Sequence, residues 1–197
     1  GGWVGTGLCT LVLAQAPATE PGSAGAASTV APFTGTLQKI HASGVVRLGH
    51  RLNSPPFAFV PDGGGSPIGY SLDLCALVVE TIGQELQRGD LRVEFVPVTP
   101  ENRFDRVIAG EVDLECGSST HTKEREVLVA FSPTLFVTGT KLLVKRSSTV
   151  RSLRDLDGRT VVLTSGTVQA EVVPRIAERQ CLKVNFVFAK DHDGSLA

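Results

Sequence analysis

Apolar and polar positions alternate at Val112-Asp113-Leu114-Glu115-Cys116, which predicts a strand burying Val112, Leu114 and Cys116 and turning Asp113 and Glu115 away. The alternation breaks at Gly117 into the hydroxyl run Ser118-Ser119-Thr120. On the N-terminal side, Thr36 to Ile40 leads into a short helix stopped by Gly44, and Val45 to Gly49 reads as a strand. Gly63-Gly64-Gly65, between Pro61-Asp62 and Ser66-Pro67, reads as a hairpin tip; no lysine or helix start follows it as a phosphate loop would need. Leu74, Val78, Ile82 and Leu86 recur every four residues and predict a helix lying on a sheet, with Ser71 as N-cap and Asp73 in its first turn. Leu91 to Val98 alternates as a strand, and Thr99-Pro100 opens a helix through Phe104, Val107 and Ile108 that ends at Gly110. Strand, helix, strand in this order implies parallel pairing. Leu135 to Val144 reads as a long strand, Thr164 to Thr167 caps a helix from Val168 to about Gln180, and Val184 to Phe188 is a further strand.

With 197 residues, 42% of them hydrophobic and 20% charged, the chain can form one large or two small globular lobes. A net charge of −1 gives no overall attraction to nucleic acid or anionic lipid, so affinity for an anion has to come from a local arrangement of charge. Residues 1–16 carry an apolar run too short for a membrane span, and Ala14-Gln15-Ala16 fits a small-x-small cleavage site. They read as the remainder of a secretory signal, and residues 17–36, rich in Ala, Gly, Ser, Thr and Pro, as a flexible leader. An exported, periplasmic chain is expected. The four cysteines, Cys9, Cys75, Cys116 and Cys181, have no paired metal spacing; loss of Cys9 with the signal leaves an odd thiol, and Cys75 reads as a core residue.

The candidate chemistry gathers after the central strand. Ser118 and Thr120 are hydroxyl donors at a strand end, and Arg125 follows a Lys-Glu-Arg-Glu run that can open a helix at Thr122. One loop can therefore present backbone N–H groups, two hydroxyls and a guanidinium, a combination suited to a carboxylate. Thr167, at the start of the later helix, adds a second place where hydroxyls and a helix N-terminus meet.

These segments resemble, in order and spacing, the family 3 extracellular solute-binding proteins of amino-acid ABC transporters, above all the glutamate/aspartate-binding branch. The resemblance runs from about Leu37 to the C-terminus and rests on Gly49-His50-Arg51, Gly69-Tyr70-Ser71-Leu72-Asp73, the stretch Asp113 to Arg125, Ser152 to Leu163 and Thr164 to Thr167. It implies an α/β, periplasmic-binding-protein-like fold of type II, with lobe one at 37–144, an incomplete lobe two at 145–197, and Leu135 to Val144 crossing between them. It implies a ligand cleft in which Arg125, Ser118, Thr120 and Thr167 hold the α-carboxylate of an amino acid, while Arg51, Arg103 and His192 face its side chain. Pro100 stands where the branch carries a serine. Three arginines around one small ligand call for more than one negative charge, so L-glutamate or L-aspartate is the expected ligand. A membrane permease is the expected partner of a monomeric receptor, and neither cofactor, metal nor nucleic acid is implied. In the family the chain continues past Ala197 and supplies an acidic partner for the ligand ammonium, so these residues alone are expected to bind weakly and to aggregate. The alternatives are a dehydratase of amino-acid metabolism on the same fold, with His192 or Glu115 as acid or base, a sensor domain, and a fragment without function.

Overall fold

The computed structural model describes residues 6–9, 11–13 and 33–196; the expected cleavage site and residues 17–32 of the leader lie outside the described residues. Two short strands, β1 (Thr6–Cys9) and β2 (Val12–Leu13), fall within the stretch expected to be a signal remnant. Helix α1 (Gly35–Ser43) begins inside the expected leader and ends at Gly44, whose left-handed backbone (φ 68°) lets its N–H close on the Ile40 carbonyl. Strand β3 (Val45–His50) follows, then a hairpin of β4 (Asn53–Ser54) and β5 (Ala58–Phe59). The triple glycine turns the chain so that Ile68 pairs back on Phe59, forming the hairpin tip expected from the sequence. Helix α2 (Tyr70–Glu85), β6 (Arg92–Pro97), α3 (Arg103–Ile108), β7 (Leu114–Glu115), α4 (Lys123–Glu126), β8 (Ala130–Phe131) and β9 (Phe136–Gly139) come next. A 3₁₀ turn at Leu153–Leu156 leads into β10 (Thr160–Thr164), α5 (Val168–Arg179), β11 (Asn185–Ala189) and α6 (His192–Leu196).

The first lobe is built on a five-stranded sheet in the order β6-β3-β7-β2-β8. Its β3 runs parallel to β6 and β7, as the strand-helix-strand order predicts, and β2 is antiparallel to both of its neighbours. Val46, Leu48, Leu114 and Cys116 from the sheet pack against Ile40, Leu72, Cys75, Val79 and Leu86. Each such side chain, fully buried, contributes roughly 1.5–3 kcal/mol. The second lobe is a parallel pair, β10 and β11, connected through α5, with Leu156, Val161, Leu163 and Val173 as its core.

The structure corrects three sequence expectations. The buried face of α2 is Leu72, Cys75, Val79 and Leu86, with Leu74, Val78 and Ile82 only partly covered. Ser71 does not cap this helix; Gly69 does, and the buried Ser71 hydroxyl donates to the Gly117 carbonyl at 2.7 Å. Together with the Cys75–Cys116 disulfide, this bond turns the helix towards the end of β7 and explains the rotated face. Gly69 takes φ 137° and approaches the Phe57 carbonyl so closely that any side chain would collide with it. Finally, the strand expected to run to Val144 stops at Gly139: β9 pairs with β1 only, and Lys141 to Val144 are exposed without ladder partners among the described residues. Cys181 is a free and exposed thiol.

Candidate functional site

The loops that leave β3, β6, β7, β10 and β11 at their C-terminal ends converge on one region, where open α/β sheets bind ligands. Arg51 follows β3 directly and is 3% exposed. Arg103 opens α3, 4% exposed; the turn before it is fixed by a reciprocal pair in which the Thr99 N–H donates to Asn102 Oδ1 and the Asn102 N–H donates to Thr99 Oγ1. Arg125 lies in α4, whose N-cap is Thr122 as the sequence suggests, its hydroxyl accepting from the Arg125 N–H. Thr167 is the N-cap of α5: its hydroxyl accepts from Ala170 N–H and donates to the Thr164 carbonyl.

Two of the three arginines meet on one acceptor from the other lobe. Arg103 Nη2 donates to the Gly166 carbonyl at 3.1 Å and Arg125 Nη2 to the same oxygen at 3.4 Å, while Arg125 Nη1 donates to the Thr120 carbonyl at 2.9 Å. The Phe104 ring lies under both guanidiniums, its centroid 4.7 Å from Arg103 Cζ and 5.0 Å from Arg125 Cζ. A ring face there holds the two cations flat and partly dry. Burial pulls the Arg51 and Arg125 guanidiniums below their ordinary range; Glu115 and Asp191 oppose this at Arg51, and Glu171, Glu115 and Glu124 at Arg125.

Glu115 reverses its sequence reading. Alternation turns it away from the ligand loop, yet its side chain is 0% exposed and its carboxylate lies under Gly117, beside Arg51 and close to the Ser119 hydroxyl. Leu114 and Glu115 point to opposite faces of β7 and are 3% and 0% exposed, so both faces of the strand are covered. Burial pushes the Glu115 carboxyl up, against the pull of Arg103, the Ser119 hydroxyl, Arg51 and Arg125. Ser119, 1% exposed, is a site residue that the sequence pattern does not single out, whereas Ser118 and Thr120 are half-buried at the loop surface. A buried strand flanked by arginines is the available signal for Glu115. Cys116 is committed to its disulfide and is no nucleophile.

From the second lobe, His192 is half-buried, with Nδ1 3.0 Å from Thr164 Oγ1, which in turn lies 2.7 Å from Ser195 Oγ. Burial and then Arg51 hold its imidazole below the ordinary value, with Arg103 acting in the same direction and Asp191 and Asp193 opposing. Asn53 Nδ2 donates to Asp193 Oδ2 at 3.0 Å, a further contact between lobes. Among the described residues no three His, Cys, Asp or Glu side chains gather as a metal would require.

The arrangement thus places five of the seven residues named from sequence, Arg51, Arg103, Arg125, Thr167 and His192, around the junction of two lobes, with Ser118 and Thr120 on the same loop as Arg125. Residues 46–194 match the family model for bacterial extracellular solute-binding proteins, family 3. The glutamate/aspartate import solute-binding protein of Salmonella typhimurium is 40% identical over 166 residues, 84% of this chain and 55% of that protein. The L-glutamate/L-aspartate-binding protein of Pseudomonas aeruginosa is 41% identical over 163 residues, 83% of this chain and 54% of that protein. The chain therefore spans about half the length of these relatives. Among solved structures, an ancestral amino-acid-binding protein described as a precursor of cyclohexadienyl dehydratase superposes with a TM-score of 0.70 at 25% identity, covering 82% of this chain and 68% of that one. The P235GK mutant of the arginine-binding protein ArgBP of T. maritima gives the same TM-score at 23% identity, covering 82% of this chain and 66% of that one, a likeness of fold. With the family model covering most of its length, the chain belongs to the bacterial extracellular solute-binding proteins of family 3.

Proposed function

We propose that the protein of this chain is the extracytoplasmic receptor of an amino-acid ABC importer, holding L-glutamate or L-aspartate between its two lobes and delivering it to a membrane permease. The observation that carries the reading is the convergence of Arg51, Arg103 and Arg125 around a single buried carboxylate, with Gly166 of the second lobe reaching the last two. The three guanidiniums offer donors to an anionic ligand, and charge-assisted, bidentate bonds to a carboxylate are about twice as strong as those to a neutral carbonyl. Arg125, near Ser118, Thr120 and the start of α5, takes the α-carboxylate; Arg51, Arg103 and His192 take the side chain. Closure of the lobes over the ligand changes the outer surface that a permease reads. The names of the Salmonella and Pseudomonas relatives support the choice of ligand. In this reading the protein is exported to the periplasm by its N-terminal signal and works as a monomer.

Calorimetric titration with L-glutamate, L-aspartate, L-glutamine and L-arginine tests it: the two acidic amino acids should bind at least tenfold more tightly than the neutral and basic ones. Binding of arginine in preference to glutamate would overturn the assignment. One observation favours a catalytic alternative, the buried Glu115 carboxyl with its raised proton affinity beside the cage. Recovery of the titrated amino acid unchanged, followed by proton NMR, separates a receptor from an enzyme.

A further inference from the structure

We infer that Glu115 is a resident counter-charge of the guanidinium cage, one that steadies Arg51 and Arg103 from beneath and selects a ligand carrying an ammonium beside its two carboxylates over a dicarboxylate that lacks one. This rests on the acidic amino-acid reading above and concerns how that ligand is told from its close analogues.

The loop is built around this carboxylate. Glu115 is held from the β3 side of β7, by the register of Leu114 and Glu115 with Leu48 and Gly49. Gly117 has no room for a side chain because Glu115 Oε1 lies where its Cβ would stand. The Ser71 hydroxyl bonds the Gly117 carbonyl, and the disulfide fixes Cys116 between the two, so the carboxylate cannot swing outward. A buried acid with no bearing on its neighbours is commonly replaceable by an apolar residue without loss, so an acid placed under the guanidiniums of a ligand site points to control of charge.

The charged groups facing the cage can be named from each element. Arg51 approaches from the end of β3, Arg103 from α3 and Arg125 from α4. Asp191, just before α6, faces Arg51, and His192 lies beside it. Glu171 of α5 and Glu124 of α4 face Arg125 from positions that are themselves exposed or nearly so. Around Glu115 itself, three cations meet one anion among the described residues. An amino dicarboxylate carries one net negative charge, and a plain dicarboxylate of the same length carries two, so the second gains more from the guanidiniums. Burial raises the proton affinity of Glu115 while Arg103, Arg51 and Arg125 favour its ionised form; in that form it trims the gain, and its removal restores it.

The test compares L-glutamate with glutarate, which has the same carbon skeleton without the ammonium, for wild type, E115Q and E115D at pH 7.5, with a thermal melt of each variant. E115Q keeps the shape of the side chain and removes its charge, and should shift the glutamate-to-glutarate affinity ratio towards glutarate by about tenfold, the effect of one extra charge felt across a partly screened site. E115D, which keeps the charge, should keep the wild-type ratio. A folded E115Q with an unchanged ratio would overturn the inference, since a purely structural role alters stability but not this ratio. Should E115Q give no cooperative melt, E115M, an uncharged side chain of similar length, takes its place: the same shift towards glutarate supports the inference, and an unchanged ratio overturns it. All of these titrations use the chain extended by the C-terminal portion of the Salmonella relative, and failure of that protein to bind either ligand would instead refute the receptor reading itself.

Discussion

Glu115 folds back beneath Gly117, so close that a Cβ on Gly117 would overlap the Glu115 carboxylate and stand 3.2 Å from Arg51 Cγ. A side chain there has to displace either the buried acid or the arginine beside it, and both are held by their neighbours. Gly117→Ala is therefore expected to cost about 1–3 kcal/mol of stability, the usual range for overpacking a filled core. In a chain of this length that is a fall in melting temperature of roughly 2–4 °C per kcal/mol, measurable by scanning calorimetry. An unchanged melt would show that Glu115 moves aside freely and that the cage is loosely packed.

The arginines separate by role. Arg125→Ala should abolish binding of every amino acid, because truncating one side of a buried charge pair costs about 2–5 kcal/mol, enough to lose a micromolar ligand in most titrations. Arg51→Ala and Arg103→Ala should instead weaken glutamate and aspartate far more than a neutral amino acid. Both also strip Glu115 of a partner, so each is expected to lower stability as well. Equal losses across all ligands for Arg51→Ala and Arg103→Ala would contradict the division into α-carboxylate and side-chain arginines.

Much of this site is legible in the sequence because each arginine follows a recognisable strand, and strand ends in an α/β sheet face one another. The alternation at 112–116 implies one buried and one open face, which holds for a strand covered on one face only. In the folded chain β7 lies between β3 and β2, and both Asp113 and Glu115 are buried, each with its own partners: Lys39 and the Arg47 N–H for Asp113, the arginine cage for Glu115. Alternation cannot reveal how many layers cover a strand. Nor can spacing pair Cys75 with Cys116, which lie 41 residues apart and meet only when α2 lies over the sheet.

That disulfide gives a third prediction. A cross-link closing a loop of 41 residues stabilises a fold by about 4 kcal/mol in the chain-entropy account. Reduction, or Cys75→Ala with Cys116→Ala, should lower the melting temperature by roughly 10 °C and weaken ligand binding, since Cys116 separates Glu115 from Gly117. Under non-reducing conditions a thiol reagent should label the exposed Cys181 while sparing Cys75 and Cys116. Labelling of Cys75 in the folded, unreduced protein would contradict the pairing.

The pH response of the second lobe has a definite sign. His192 is held below its ordinary value of 6.5 by burial and by Arg51, so it is neutral at neutral pH. A histidine whose folded value is depressed leaves stability intact above the unfolded value and loses it as pH falls from about 6.5 towards the folded value. Ligand affinity runs the other way, because a protonated His192 would attract a carboxylate. Glutamate affinity should be flat between about pH 6.5 and 8 and rise below that window, and His192→Gln should abolish the rise. A rise that persists in the variant would assign it to another group, with Glu115 the first to examine.

Closure itself can be tested at Gly166, whose carbonyl receives both Arg103 and Arg125. It has φ 69°, and a Cβ there would lie 2.7 Å from the Pro100 backbone of the first lobe. The φ penalty of Gly166→Ala is local and costs about 1 kcal/mol, a small part of total stability. The collision with Pro100 is different, because it arises only when the two lobes come together. The variant should therefore melt within a few degrees of wild type yet bind glutamate at least tenfold more weakly, and small-angle scattering should show less compaction on ligand addition. The contrast with Arg125→Ala is useful: one removes a ligand partner, the other leaves all three arginines in place and obstructs the approach of the second lobe. If Gly166→Ala bound as tightly as wild type, the lobes would not need to meet at Pro100 to hold the ligand, and the Gly166 loop would have no part in closure.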